Sequence, residues 1–387
     1  MRISPFSRSG RIRAGAALVA LTVSVVACDV VDLAKGSAPI FEQMWSVPAQ
    51  GTSISIGSVL PPGVQIYSTP GSTPPDSSAF LFDVSSFGIT RTLGADCGPC
   101  STLNGTTAPK PAFVLSAGST QPLPQDVVSG AIVGGTLTVS VTNNFTFDPI
   151  YVVNGGTPAQ QGYMLLVVRS GSLVLGRDSV HGAAAIAPDG ISRPFAAGTS
   201  MTRTINVQTG NATTNLALDI TVNSPAGDSV FVDVNRTVNL TASLRDPSNQ
   251  PTLRVANVTM NVVNRTMTSV SGDSIELDQI DGSISKHVVG GRLEMIITNP
   301  FDIAGTVNVS FGYAPAQAVS KTFDITSGVG LVRTVSLDSA DMAQLMGRKV
   351  GLSIGGGVSS SSPITVTPKE IVSIANRLAL VLHVGGN

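Results

Sequence analysis

Charge is scarce in this 387-residue chain. Only 12% of its residues are Asp, Glu, Lys or Arg, and 23 basic against 24 acidic side chains leave a net charge of −1. Nucleic-acid binding needs a concentrated basic patch, and no stretch supplies one, so that class of partner is excluded. Aromatic residues make up only 5%. A transmembrane β-barrel carries two interfacial girdles of aromatic residues, which this chain cannot furnish. The three histidines, His181, His287 and His383, lie far apart and outside metal spacings such as H-E-x-x-H. No metal and no cofactor are therefore expected.

What replaces the missing charge is Gly, Pro, Ser, Thr, Val and Asn, with 40 glycines and 24 prolines. This composition is the opposite of a helical cytosolic enzyme and favours short strands joined by turns. The first residues set the location. Arg2, Arg8, Arg11 and Arg13 form a basic head with no acid, and residues 14–26 form an apolar core too short for a stable transmembrane helix. The core ends in Val25-Val26-Ala27-Cys28, which resembles the lipobox of bacterial lipoproteins. That resemblance implies that residues 1–27 are a cleaved signal peptide and that Cys28 becomes the lipid-modified N-terminus. The protein would then sit in the bacterial cell envelope, extracytoplasmic, with the lipid as its membrane contact. No second apolar run of about 18 residues competes as an anchor. Whether the membrane is the inner or the outer one stays open.

One stretch occurs twice. Gly134-Gly135-Thr136-Leu137-Thr138-Val139-Ser140-Val141-Thr142-Asn143-Asn144-Phe145 is matched by Gly290-Gly291-Arg292-Leu293-Glu294-Met295-Ile296-Ile297-Thr298-Asn299-Pro300-Phe301 at a constant offset of 156. In each copy a glycine pair opens a strand whose apolar residues recur at every second position. Asn-Asn or Asn-Pro then turns the chain. Six further short runs with period-two patterning fill 126–245, and a similar number fill 253–384. The expected fold is all-β: tandem immunoglobulin-like β-sandwich domains after the signal peptide, with one short helix near 338–346 capped by Asp338 or Ser339 and ended by Gly347. The expected division is 28–125, a β- and loop-rich region holding Trp45 in a small core; 126–249, the first sandwich; and 250–387, the second. Asp246-Pro247-Ser248-Asn249-Gln250-Pro251 reads as the linker. The ends of the two strands, Val139 to Asn144 and Met295 to Pro300, also resemble the water-stress/late-embryogenesis β-sandwich family, whose domains are not enzymes.

Candidate chemistry is sparse. Cys97-Gly98-Pro99-Cys100 matches the redox motif of thioredoxin-like proteins, but no βαβ pattern surrounds it and 101–111 cannot form the helix that activates the thiol. With Cys28 assigned to lipid, Cys97 and Cys100 pair as a structural disulfide outside the cytoplasm. Ser283-Ile284-Ser285-Lys286 satisfies S-x-x-K without the K-T-G that accompanies it. Asp273, Glu276, Asp278 and Asp281 form an acidic turn, read as solvated, with Ca²⁺ as the other use of such oxygens. No nucleophile, base and orienter fall into a common pattern. The expectation is a non-enzymatic envelope lipoprotein that scaffolds or binds an unidentified envelope protein or polymer. An extracytoplasmic thiol–disulfide protein using Cys97 and Cys100 is the alternative.

Overall fold

Alternation of β-branched apolar residues with Thr and Ser fits a pleated surface that buries one face, and it governs nearly the whole chain. The structure is a computed structural model that describes residues 41–49, 51–68, 78–152, 161–182, 195–213, 215–268, 273–313 and 316–384. The lipobox and Cys28 lie outside the described residues. The expected all-β class holds.

In chain order come β1 (Phe41–Pro48), β2 (Thr52–Ser55), β3 (Val64–Tyr67), β4 (Ala79–Phe82) and β5 (Phe87–Thr92). Helix α1 (Leu93–Asp96) and a 3-10 turn (Gly98–Leu103) lead to β6 (Thr107–Lys110), β7 (Phe113–Pro122) and β8 (Val127–Asn143). Next are β9 (Tyr163–Ser170), β10 (Leu173–His181), β11 (Ser200–Val207), β12 (Gly210–Thr213), β13 (Asn215–Ser224), β14 (Gly227–Phe231) and β15 (Thr237–Ser243). The chain continues through β16 (Leu253–Met260), β17 (Arg265–Thr268), β18 (Asp273–Glu276), α2 (Gly282–Ser285), β19 (Val288–Asn299) and β20 (Ile303–Tyr313). It ends with β21 (Ala316–Ile325), β22 (Gly328–Leu337), α3 (Ser339–Leu345), β23 (Lys349–Ser360), β24 (Ile364–Val366) and β25 (Ile371–Val384). Contacts group Glu42–His383 into one compact unit.

Two sheets supply the first part of the continuous hydrophobic core, β10-β9-β13-β7 and β11-β8-β15-β5. Leu137, Val139 and Val141 of β8 and Leu218, Ile220 and Val222 of β13 are fully buried between them. Two more supply the second: β22-β19-β25, with β1 and β2 along the far edge of β25, and β21-β20-β23, with β17 and β18 along β23. Leu293, Met295 and Ile297 of β19 are buried there as the sequence pattern expects. A further ladder, β3-β4-β16-β8, joins these two parts, with β12 on β8 and β24 on β16.

The central pairings of the two halves follow the same order. β8 pairs with β11 and β15 as β19 pairs with β22 and β25, and β9 pairs with β10 and β13 as β20 pairs with β21 and β23. The registers agree as well. Gly135 opposes Val207 and Val141 opposes Met201, while Gly291 opposes Leu337 and Ile297 opposes Leu331, offsets of 156 and 130. Val141 opposes Leu240 and Ile297 opposes Ile374, which moves the second partner by 134. Met164 opposes Val180 and Val307 opposes Phe323, both 143 apart.

The turn after each repeated strand is held by a buried asparagine. Asn143 donates its amide to the carbonyls of Phe147 (2.9 Å) and Phe195 (2.6 Å) and accepts from the Phe145 N–H at 2.9 Å. Asn299 does the same with Ile303 (3.1 Å), Thr326 (3.1 Å) and Phe301 (3.2 Å). An amide carries two donors and an acceptor on one small group, so it satisfies a sharp buried turn that no carboxylate could.

Three expectations change. The first glycine pair does not open its strand: β8 begins at Val127, and Gly134-Gly135 lies inside it. Residues N-terminal to the pair bond β16 and β12, and those after it bond β11 and β15. A Cβ at Gly135 would lie 3.1 Å from Leu253 Cα, so glycine is what lets β16 approach while the strand passes from one sheet to the next. Trp45 does not sit in a core. It lies on β1 with 41% of its surface exposed, because β1 is an edge strand whose residues through Ser46 all face solvent. The stretch 246–251 is a tight turn, not a spacer: Asn249 N–H bonds the Asp246 carbonyl at 2.9 Å, Gln250 N–H bonds the Asp246 carboxylate, and Arg245 and Pro251 form a bridge.

Ladders also cross the boundaries placed at 125 and 249, since β5 bonds β15, β7 bonds β13, β2 bonds β25 and β16 bonds β8. The helix near 338–346 forms as α3. Asp338 accepts from the Asp341 N–H and Asp341 accepts from the Asp338 N–H, a reciprocal cap. Its Met342 packs on Gly291, where any Cβ would fall 2.7 Å from the sulfur.

Candidate functional site

On β8, β11 and β15 the residues that point away from the core are almost all Thr, Ser or Asn. β8 presents Thr136, Thr138, Ser140 and Thr142, flanked in register by Asn206, Thr204, Thr202 and Ser200 of β11. On the other side Ser243, Thr241 and Asn239 of β15 oppose Thr138, Ser140 and Thr142. β5 adds Thr90 and Thr92 beyond Asn239 and Thr237. Strand spacing of about 4.8 Å and a same-face repeat of about 6.6–6.8 Å arrange these groups as a two-dimensional net of hydroxyls and amides. None of them is charged, aromatic or aliphatic beyond the threonine methyl.

One end of this face becomes a cleft of about 420 Å³, with Thr138, Ser140, Thr241 and Ser243 as its floor and Ser86 at its side. The wall is the 246–249 turn with Arg245. The guanidinium is fixed in place: Nη2 donates to both oxygens of Asp83 at 2.5 and 2.6 Å, and Nη1 to the Asn249 carbonyl at 2.7 Å. Asn249 adopts φ +64°, a conformation Asn tolerates, and this lets the turn fold back toward the sheet. The cleft is lined by hydroxyls and methyls and is nearly neutral. Its hydroxyls can exchange hydrogen bonds with a ligand.

A second polar centre is buried. Lys110, at the end of β6, is 2% exposed, and its Nζ donates to the Asp148 carbonyl at 3.1 Å with the Pro149 and Tyr151 carbonyls at 3.4 Å. It also lies 5.9 Å from the centre of the Phe147 ring. Burial lowers its pKa to about 8, against the opposing attraction of Asp148 and Asp228. Burial likewise pushes the Asp148 carboxyl up, while its bonds from the Ile150 and Tyr151 N–H groups hold it down. The ammonium ties the 147–151 loop to β6.

The sequence-predicted residues are dispersed. The sulfurs of Cys97 and Cys100 lie at disulfide distance, with Cα atoms 5.2 Å apart, and both residues are fully buried. Cys97 sits between α1 and the 3-10 turn, and the whole segment is laced to β15's approach by bonds from Leu93, Gly94 and Gly105 to the carbonyls of Arg236, Val234 and Val232. His181 lies beside Tyr163 at 6.0 Å between ring centres, with its pKa lowered by burial. His287 bonds the Ser283 carbonyl at 2.8 Å, and His383 contacts Glu42 at 3.3 Å.

Ser283 belongs to the cap of α2, donating to the Asp281 carboxylate, which accounts for the S-x-x-K match structurally. Of the acidic turn, Glu276 pairs with Lys349 at 3.2 Å and Asp281 caps α2. Among the described residues no three His, Cys, Asp or Glu converge as metal ligands, and no helix is long and apolar enough to cross a membrane.

Neither the cleft nor the Lys110 centre was singled out from sequence. The Thr/Ser alternation was visible in 136–142, 200–204 and 237–243, but it gives no sign that those three strands lie side by side.

No protein-family profile and no curated protein matches the chain. Among solved structures, it is similar to one described as a "putative secreted protein" from Parabacteroides distasonis, with 8% identity, a TM-score of 0.29, and coverage of 87% of this chain and 99% of that one. The infectious bursal disease virus Gx strain structure gives 11% identity and a TM-score of 0.17 over 91% and 73% of the two chains. The glycosylasparaginase PNGase F of Flavobacterium meningosepticum gives 10% and 0.18 over 78% and 98%. None of these scores reaches the level at which a shared fold, let alone a shared activity, is inferred.

Proposed function

We propose that the protein is a non-enzymatic, extracytoplasmic binding module, anchored through lipid on Cys28 and built from a tandemly repeated β-sandwich. The observation that carries the binding role is the cleft: a floor of Thr and Ser hydroxyls walled by an arginine whose charge is already matched by Asp83. Such a surface supplies hydrogen bonds and shape, but no nucleophile–base pair. Burial of both Cys97 and Cys100 supports a structural bridge over the redox alternative, because exchange requires a thiolate to reach one of the sulfurs. The repeat is supported by the shared pairings and registers of the two halves. The anchor is supported by the basic head, short apolar core and Val25-Val26-Ala27-Cys28. From Cys28 to Phe41 the chain is 13 residues, so the folded unit would sit within about 45 Å of the lipid.

Two measurements test this. Cys28→Ala should move the protein from the detergent to the aqueous phase of a cell extract and abolish incorporation of labelled fatty acid. Continued membrane partition with unchanged processing would overturn the anchor. Native protein should show no labelled thiol and no turnover of a disulfide substrate, and rapid turnover would restore the redox reading.

A further inference from the structure

The uncharged hydroxyl face is not required by the architecture, because the corresponding strands of the second half keep Thr298, Thr334, Ser336 and Ser373 but break the rest of the pattern. At the positions that correspond through the 156, 130 and 134 offsets, Thr136, Thr138 and Ser140 become Arg292, Glu294 and Ile296. Thr202 becomes Val332, and Thr241 and Ser243 become Ala375 and Arg377. In that half Glu294 stands opposite both Thr334 and Arg377, a mixed exposed face of the usual kind. In the first half every charge has been kept off about a dozen positions on four adjacent strands. The Thr138, Ser140, Thr241 and Ser243 hydroxyls also enter none of the side-chain hydrogen bonds found among the described residues.

We propose that this face and its cleft bind a neutral polysaccharide. This deepens the binding role above and is independent of the lipid on Cys28. The match is chemical. Each Thr or Ser hydroxyl both donates and accepts, as each sugar hydroxyl does, so a repeating polyol meets partners whichever way its hydroxyls turn. An anionic polymer would find no cation except Arg245, already bound by Asp83, and a cationic one would find only Asp246 exposed on the turn. A globular protein partner would call for aromatic or aliphatic anchors, and this face offers none. A nearly flat array without an aromatic platform gives weak single contacts, so tight retention depends on a polymer long enough to span the face and enter the cleft.

The test uses the purified chain from residue 29 onward, sedimented with microcrystalline cellulose, chitin and insoluble β-1,3-glucan, and with alginate gel as the charged comparison. Retention on at least one neutral polymer, at least tenfold above alginate, is expected. The double variant Thr138→Lys/Thr241→Lys, both outward and exposed, should lose at least tenfold of that retention with its melting curve unchanged. Glu294→Lys, at the corresponding site of the second half, should bind as the parent does. Absence of retention on all three polymers overturns the proposal without touching the Cys28 tests. So does equal retention of the double variant, or a concentration-dependent dimer that the double variant abolishes, which would identify the face as a self-association surface.

Discussion

Replacing Lys110 with methionine should change the pH dependence of stability more than stability itself. The ammonium is buried, and its pKa falls to about 8 from an ordinary 10.5. Below pH 8 both the folded and the unfolded chain hold the proton, and the full cost of burying the charge is present. Between pH 8 and 10.5 the unfolded chain holds the proton and the folded one does not, so stability rises with pH through this window. A shift of that size corresponds to about 3 kcal/mol across the window at ~1.4 kcal/mol per unit.

Lys110→Met removes this charge, and with it the bond to the Asp148 carbonyl and the longer contacts to Pro149 and Tyr151. A charged hydrogen bond contributes about 1.5–3 kcal/mol, so near pH 7 loss and relief nearly cancel. The pH slope is therefore the clean signature. Urea unfolding followed by far-UV circular dichroism at pH 7, 8, 9 and 10 measures it; Trp45 fluorescence is a poor probe, because that residue is already exposed. The parent should gain on the variant by about 2–3 kcal/mol between pH 8 and 10. Parallel curves for the two proteins would refute the assignment of a depressed, buried lysine.

Val141→Ala and Ile297→Ala each truncate a buried inward residue and should cost about 2–4 kcal/mol in chemical denaturation, while outward Thr138→Ala should stay within about 0.5 kcal/mol. Asn299→Asp should destabilise more than Asn299→Ala at pH 7, by roughly 1–3 kcal/mol, because a carboxylate would face the Ile303 and Thr326 carbonyls; thermal melts should show the gap narrowing below about pH 4. Deleting residues up to 57 removes β2, the buried Ile54 and Ile56, and the Thr52–Asn376 bond at 3.1 Å, although all belong to the N-terminal end. At about 1.5–3 kcal/mol for each buried isoleucine, the melting temperature should fall by on the order of 5–10 °C, read by calorimetry. An unchanged melt would show that β25 does not depend on its distant partner.

The sequence alone determined the all-β class and the side that the two repeated strands bury. Leu137/Val139/Val141 and Leu293/Met295/Ile297 are inward as their period of two requires, and Asn143 and Asn299 end their strands where a turn-former was read. Helix α3 was legible through its cap and Gly347, since capping is a local interaction among residues three or four apart. What could not be read was pairing between segments distant in the chain. Period-two alternation fixes which face of a strand is apolar but carries no address for its neighbour. The edge position beside β25 is filled by β2, some 320 residues earlier, where the first half uses β5. For the same reason the Thr and Ser rows of β8, β11 and β15 became a surface, and 246–251 its wall, only once tertiary hydrogen bonding set those strands in register.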